Sequence, residues 1–159
     1  MSRKSQIGQV FIYLISTLII ILVLYYGYNA IKNIGKKQQE LTYVKFQNSL
    51  TDLITYTSSD YGTVRIENFD VPAGFNEVCF VDPSVIAAKN KDAIPPGYPL
   101  IEDSVADGVR MNVFVLPGGS PFYIEKLYVE QQFLCYTAVQ GKIKIRVEGL
   151  GDRAKIASP

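Results

Sequence analysis

Few residues in this 159-residue chain have the chemistry of a reactive site. Histidine is absent, which removes the usual general base near neutral pH and the commonest metal ligand. The two cysteines, Cys79 and Cys135, belong to no Cys-x-x-Cys pair, so a zinc or thioredoxin-type centre is not indicated. Two roles remain open for them. Facing an oxidising exterior, they pair as a disulfide, which closes a loop of roughly 57 residues and stabilises the fold by ~4 kcal/mol in the chain-entropy treatment. Otherwise they are buried free thiols that pack as small apolar residues.

The other clusters have plainer explanations. Glu102 and Asp103, with Asp107 and Gly108 just after them, gather acids that could attract calcium, but the spacing is not that of an EF-hand. Gly149-Leu150-Gly151 lacks the third glycine of a dinucleotide fingerprint and follows no βαβ pattern. Ser120 follows Gly118 and Gly119, yet no histidine exists to activate its hydroxyl. Glu125 and Glu130 have no glycosidase context. Lys142, Lys144 and Arg146 alternate with apolar residues and read as the wet face of a strand. With 16 Lys+Arg against 15 Asp+Glu, no basic excess points to nucleic acid. The expectation is a protein that is not an enzyme, with no metal, no cofactor and no nucleic-acid partner.

The elements behind these residues are more informative. From Ile7 to Ile31 the chain has no formal charge. A membrane helix needs about 20 apolar residues, and a secretory signal core has only about 7–15. The run is therefore read as a single membrane span, with Ile7, Phe11, Leu14, Ile20, Leu24 and Ile31 facing lipid. Hydroxyls at Ser16 and Thr17 can bond back to the helix. Tyr25, Tyr26 and Tyr28 suit an interface. Arg3 and Lys4 before the span nearly balance Lys32, Lys36 and Lys37 after it. The short N-terminal flank and the cysteines favour a cytoplasmic N-terminus and an external C-terminal domain.

Beyond the span, Tyr43, Phe46, Leu50, Leu53 and Ile54 recur at helical spacing, and Leu41 and Val44 are expected to widen the stripe. Gly35 is a possible bend, and Ser58 to Gly62 a stop. After Gly62 the period becomes alternating. Strands are expected over residues 63–69, with Val64, Ile66 and Phe69 turned in against Arg65 and Glu67 turned out, and over 77–81, 109–116, 122–129 and 154–157. A helical turn is expected from Pro83. The Pro-rich stretch 90–104 reads as a loop. Residues 133–139 and 142–147 read as a hairpin about Gln140-Gly141, with Ile143, Ile145 and Val147 on its buried face.

The N-terminus adds a resemblance. Residues 3–11 read RKSQIGQVF, which resembles the class III signal of archaeal type IV pilins and archaellins. Arg3-Lys4 match the basic pair, Ser5 the small residue and Gln6 the new N-terminus. The resemblance implies cleavage by a prepilin peptidase between Ser5 and Gln6, on the cytoplasmic side, leaving the hydrophobic helix attached. Val10 stands where such pilins usually carry Glu. The implied fold is α+β and pilin-like: a basic leader (1–5), a transmembrane helix (6–31), an amphipathic helical stalk (32–61) and an antiparallel β-rich extracellular head (62–159). The implied role is a structural subunit of a type IV-type filament or secretion pseudopilus, with membrane lipid and identical or related pilin subunits as partners. The alternative is a non-polymerising, single-pass ectodomain that binds a partner or ligand.

Overall fold

The computed structural model describes the backbone of residues 3–157 and the side chains of residues 10–29, 31 and 40–157. Its first element is a helix, α1 (Arg3–Ser58), and Gly35 lies inside it. The chain forms two units, Met1–Leu41 and Thr42–Pro159. In the first unit, Val10–Asn29 is a 20-residue helical stretch of mean hydropathy 2.4 with none of it buried. At 1.5 Å per residue it is about 30 Å long, the thickness of a bilayer's hydrocarbon core.

The second unit holds the end of α1 and all the strands. These are β1 (Val64–Asp70), β2 (Glu77–Val81), β3 (Val113–Leu116), β4 (Leu127–Val129), β5 (Phe133–Thr137), β6 (Lys142–Gly149) and β7 (Ala154–Ala157). They form a four-stranded sheet in the order β1-β6-β7-β4 and a three-stranded sheet in the order β3-β2-β5. All pairings are antiparallel except β4 with β7. Between β2 and β3 lie α2 (Pro83–Ala87), a 3-10 turn (Lys91–Ala93) and α3 (Pro99–Ala106). The fold is thus α+β, with an apolar N-terminal helix and a C-terminal sheet region that is mostly antiparallel.

Burial explains the helix from Thr42 onward. Phe46, Leu50 and Ile54 are four apart, so they share one helical face. That face enters a core with Phe69, Ile143, Ile145 and Val147 of the larger sheet and Val78, Phe80, Val113 and Val115 of the smaller one. Each such side chain contributes about 1.5–3 kcal/mol on full burial. The smaller sheet is covered on both faces. Cys79, Val81 and Phe114 point the other way, into a second core with Val85, Ile86, Ile101 and Val105. Two covered faces explain why β2 is apolar at consecutive positions, since neighbours in a strand point to opposite sides.

Several expectations are corrected. Leu41 and Val44 are 70% and 50% exposed, so the buried stripe is narrower than the spacing suggests. In β1, Phe69 turns in and Val64 and Ile66 turn out. The register explains it: Arg65, Glu67 and Phe69 sit opposite Val147, Ile145 and Ile143, and opposed residues share a face. The turn at Gln140-Gly141 forms, with φ of 53° and 72°, the pair of left-handed residues a tight hairpin turn needs. Its arms then part: β5 joins β2, while β6 joins β1 and β7. The Pro-rich stretch contains α3, because Pro99 lies in its first turn, where a missing N–H costs nothing. Of residues 122–129 only Leu127–Val129 is strand, apart from a bridge from Phe122 to Val113; of 109–116, only Val113–Leu116.

Gly149 closes the joint between helix and sheet. A Cβ there would collide with the carbonyl oxygens of Thr57 and Asp60. Gly62 N–H donates to the Gly149 carbonyl at 2.8 Å, and Gly149 N–H donates to the Thr63 carbonyl at 2.9 Å. Gly149→Ala is expected to destabilise the second unit by about 3 kcal/mol through overpacking, and Leu50→Ala by about 2–5 kcal/mol through a cavity. Chemical unfolding of the full chain in detergent, followed by far-UV circular dichroism, measures both.

Candidate functional site

The residues singled out by sequence fall in three places. The side chains of Ser5, Gln6 and Ile7 lie outside the described residues. Of the other expected anchor residues, Phe11, Leu14, Ile20, Leu24 and Ile31 are all exposed, at between 58% and 73% of their surface. An apolar face of this size on a polar-headed chain marks a contact with lipid or protein. Within the stretch, Ser16 Oγ donates to the Ile12 carbonyl at 2.8 Å and Thr17 Oγ1 to that of Tyr13 at 2.8 Å. Asn29 Nδ2 donates to the Tyr25 carbonyl at 3.1 Å. These polar groups are satisfied by the helix itself, as a hydrocarbon setting requires. This is one helix, near the N-terminus, long and apolar enough to cross a membrane.

The second place is the cysteine pair. Cys79 and Cys135 are directly opposed on β2 and β5, and they are bonded. Antiparallel pairing brings their α carbons to 4.0 Å although they are 56 positions apart in sequence. The Glu77 carboxylate lies within 4.8 Å of both sulfurs. Sulfurs bonded to each other offer no thiolate for a metal, and Glu77 instead accepts a hydrogen bond from the Tyr98 hydroxyl at 3.0 Å.

The third place is the set of loops and faces. Glu102 and Asp103 belong to α3, and Asp107 caps its C-terminal end, so these acids lie along a helix. Glu130 approaches Lys155 at 3.8 Å. The carbonyl of Ser120 accepts a hydrogen bond from the Tyr43 hydroxyl. Lys142, Lys144 and Arg146 are exposed, with Ile143, Ile145 and Val147 buried between them. Of the glycines near residue 150, Gly149 serves the close approach of helix and sheet described above, and Gly151 has a φ of 94°.

Two buried polar residues escaped the sequence reading. Asp82 is 5% exposed; it accepts from Ser84 N–H at 2.9 Å, capping α2, and from Val129 N–H at 2.9 Å. Its signal is an Asp just before a Pro that can begin a helix. Asn112 is fully buried, and its amide exchanges two hydrogen bonds with the backbone of Ile124 at 2.7 and 2.8 Å. Both tie strand ends and loops to the sheets.

Comparison with known protein families, characterised proteins and solved structures finds no match for this chain. The physical chemistry of its residues therefore carries the functional argument.

Burial shapes the titration of the head. It pushes the Tyr136 hydroxyl up to about 12, and this hydroxyl donates to the Ala157 carbonyl at 2.6 Å. Burial also raises Tyr43 and, together with the Glu77 hydrogen bond, Tyr98. Lys155 is raised chiefly by its hydrogen bond to Glu148, at 2.9 Å. In the unfolded chain a tyrosine titrates near 10 and a lysine near 10.4. Each raised group thus contributes stability that is present below those values and lost as pH rises through the folded-state value. Stability is expected to hold to about pH 9 and to fall between about pH 10 and 12, with Tyr136→Phe softening the fall; unfolding midpoints across this range measure it. Cys79→Ser with Cys135→Ser is expected to remove ~4 kcal/mol, read as a lower unfolding midpoint under non-reducing conditions.

Proposed function

We propose that this chain is a pilin-like structural subunit, processed between Ser5 and Gln6, held in the membrane by its apolar helix and bearing an external head. The observation that carries the reading is the change of character along α1. Its Val10–Asn29 stretch is apolar and unburied, and further along the same helix Phe46, Leu50 and Ile54 are buried against mostly antiparallel sheets. The RKSQ start fits a signal cut before the hydrophobic run. A bonded cysteine pair in the head suits an oxidising exterior, with the N-terminus cytoplasmic. The membrane would store the subunit by its helix. On assembly the helices would exchange lipid contact for packing against one another, with Gly27 and Ser16 allowing close approach.

Val10 favours a second reading. Without the acid that such pilins usually carry there, the same anchored head works as a single-pass ectodomain that binds a partner. Both readings share the anchor and differ in assembly.

Mass spectrometry of the N-terminus, on protein taken from its own host, tests the proposal. A mature chain starting at Gln6 is expected, and a chain retaining Arg3 to Ser5 overturns the pilin pathway. Sheared cell-surface filaments containing the chain are expected of the filament subunit; recovery only in the membrane fraction selects the ectodomain.

A further inference from the structure

β1 is the outer strand of its sheet. One side pairs with β6, and among the described residues no strand lies on the other. At the two ends of the β1 and β6 pairing, Gly149 N–H donates to the Thr63 carbonyl and Val71 N–H to the Gly141 carbonyl. By the alternation of an antiparallel ladder, Arg65, Glu67 and Phe69 turn their backbone groups toward β6, while Val64, Ile66, Asn68 and Asp70 turn theirs to the open side. Val64 and Ile66 are also 45% and 55% exposed. An open, partly apolar edge is a template for another strand.

The opposite face of β1 carries two charges. The Arg65 guanidinium lies 4.7 Å over the Tyr56 ring, and its Nε is buried with no hydrogen-bond partner. Neither Arg65 nor Glu67 is in any ion pair found among the described residues. Charges on an edge strand ordinarily discourage pairing. These two have opposite sign and stand two positions apart, so they select a register. In antiparallel pairing of β1 with a second copy of itself, a centre at Arg65 sets arginine against arginine, and a centre at Glu67 sets glutamate against glutamate. Both are destabilising. A centre at Ile66 sets Arg65 against Glu67 twice, at the closer, non-hydrogen-bonded positions. It also sets Ile66 against Ile66 and uses the open N–H and C=O groups of Val64, Ile66 and Asn68.

We propose that β1 is a homophilic docking edge, through which two copies of this chain join antiparallel about a two-fold axis at Ile66. The same symmetry dictates how the copies face. Tyr56 lies against Arg65, and Phe46 against Phe69 with ring centroids 6.1 Å apart, so this part of α1 runs antiparallel to β1. Reversing β1 reverses that helical segment as well. The end of α1 then enters the two copies at opposite ends of the pair. The contact does not depend on whether the chain polymerises.

The full chain in detergent and in lipid vesicles tests this. Ile66→Cys places a thiol opposite its own copy, while Asn68→Cys places one opposite Val64; the native cysteines are already bonded. Under mild oxidation the first is expected to give covalent dimer roughly ten-fold faster than the second. Glu67→Arg is expected to weaken dimerisation by roughly ten-fold or more, and adding Arg65→Glu to restore it by exchanging the signs, with thermal unfolding confirming that each variant folds. Equal cross-linking at both positions, a monomer by light scattering at every concentration, or no rescue by the charge exchange overturns the docking edge.

Discussion

The second unit depends on a contact that leaves no room for a side chain. At Gly149 the strand lies against the carbonyls of Thr57 and Asp60, where the helix ends. This contact places the end of α1 on β6. The hydrogen bonds of Gly62 and Thr63 to the same glycine then start β1 in register. From that register follow the inward turn of Phe69, the outward turn of Val64 and Ile66, and the placing of Arg65 and Glu67 on the strand face opposite them. A single unsubstituted α carbon thereby decides which face of an edge strand is apolar.

The helix meets two kinds of surroundings with one backbone solution. Each stretch satisfies its main chain internally, so burial alone distinguishes them. From Val10 to Asn29 the apolar side chains go all round the helix, and none is covered by the fold. Further along, Phe46, Leu50 and Ile54 share one face and are covered completely or nearly so. The first pattern suits an apolar surrounding, the second a core.

Much of this was legible in the sequence where the signal is local. The apolar N-terminal helix, the stripe of Phe46, Leu50 and Ile54, the strand around Cys79, the helical turn after Asp82, and the faces of residues 142–147 all follow from period and composition. Partner choice was not legible. The segments flanking Gln140-Gly141 have the period of a hairpin, yet each finds a different sheet, because period reports faces and not neighbours. The faces of β1 were misread because Val64 and Ile66 are apolar, while the register is set by a glycine far along the chain. Helix α3 was hidden by prolines that fit its first turn. The cysteines were recognisable as a pair, but only the pairing of β2 with β5 brings them together. The Asp82 cap on Ser84 is local, but its bond from Val129 and those between Asn112 and Ile124 reach backbone groups that no short window contains.

The bridge between β2 and β5 also has a mechanical consequence. If the chain is pulled from its two ends, tension passes from Cys79 to Cys135 through the sulfurs, and the 56-position loop between them bears no load. Helices α2 and α3 and strands β3 and β4 all lie within that loop. Roughly 190 Å of fully extended chain is thereby withheld from stretching. Under force, the head behaves as a much shorter tether than its sequence length suggests.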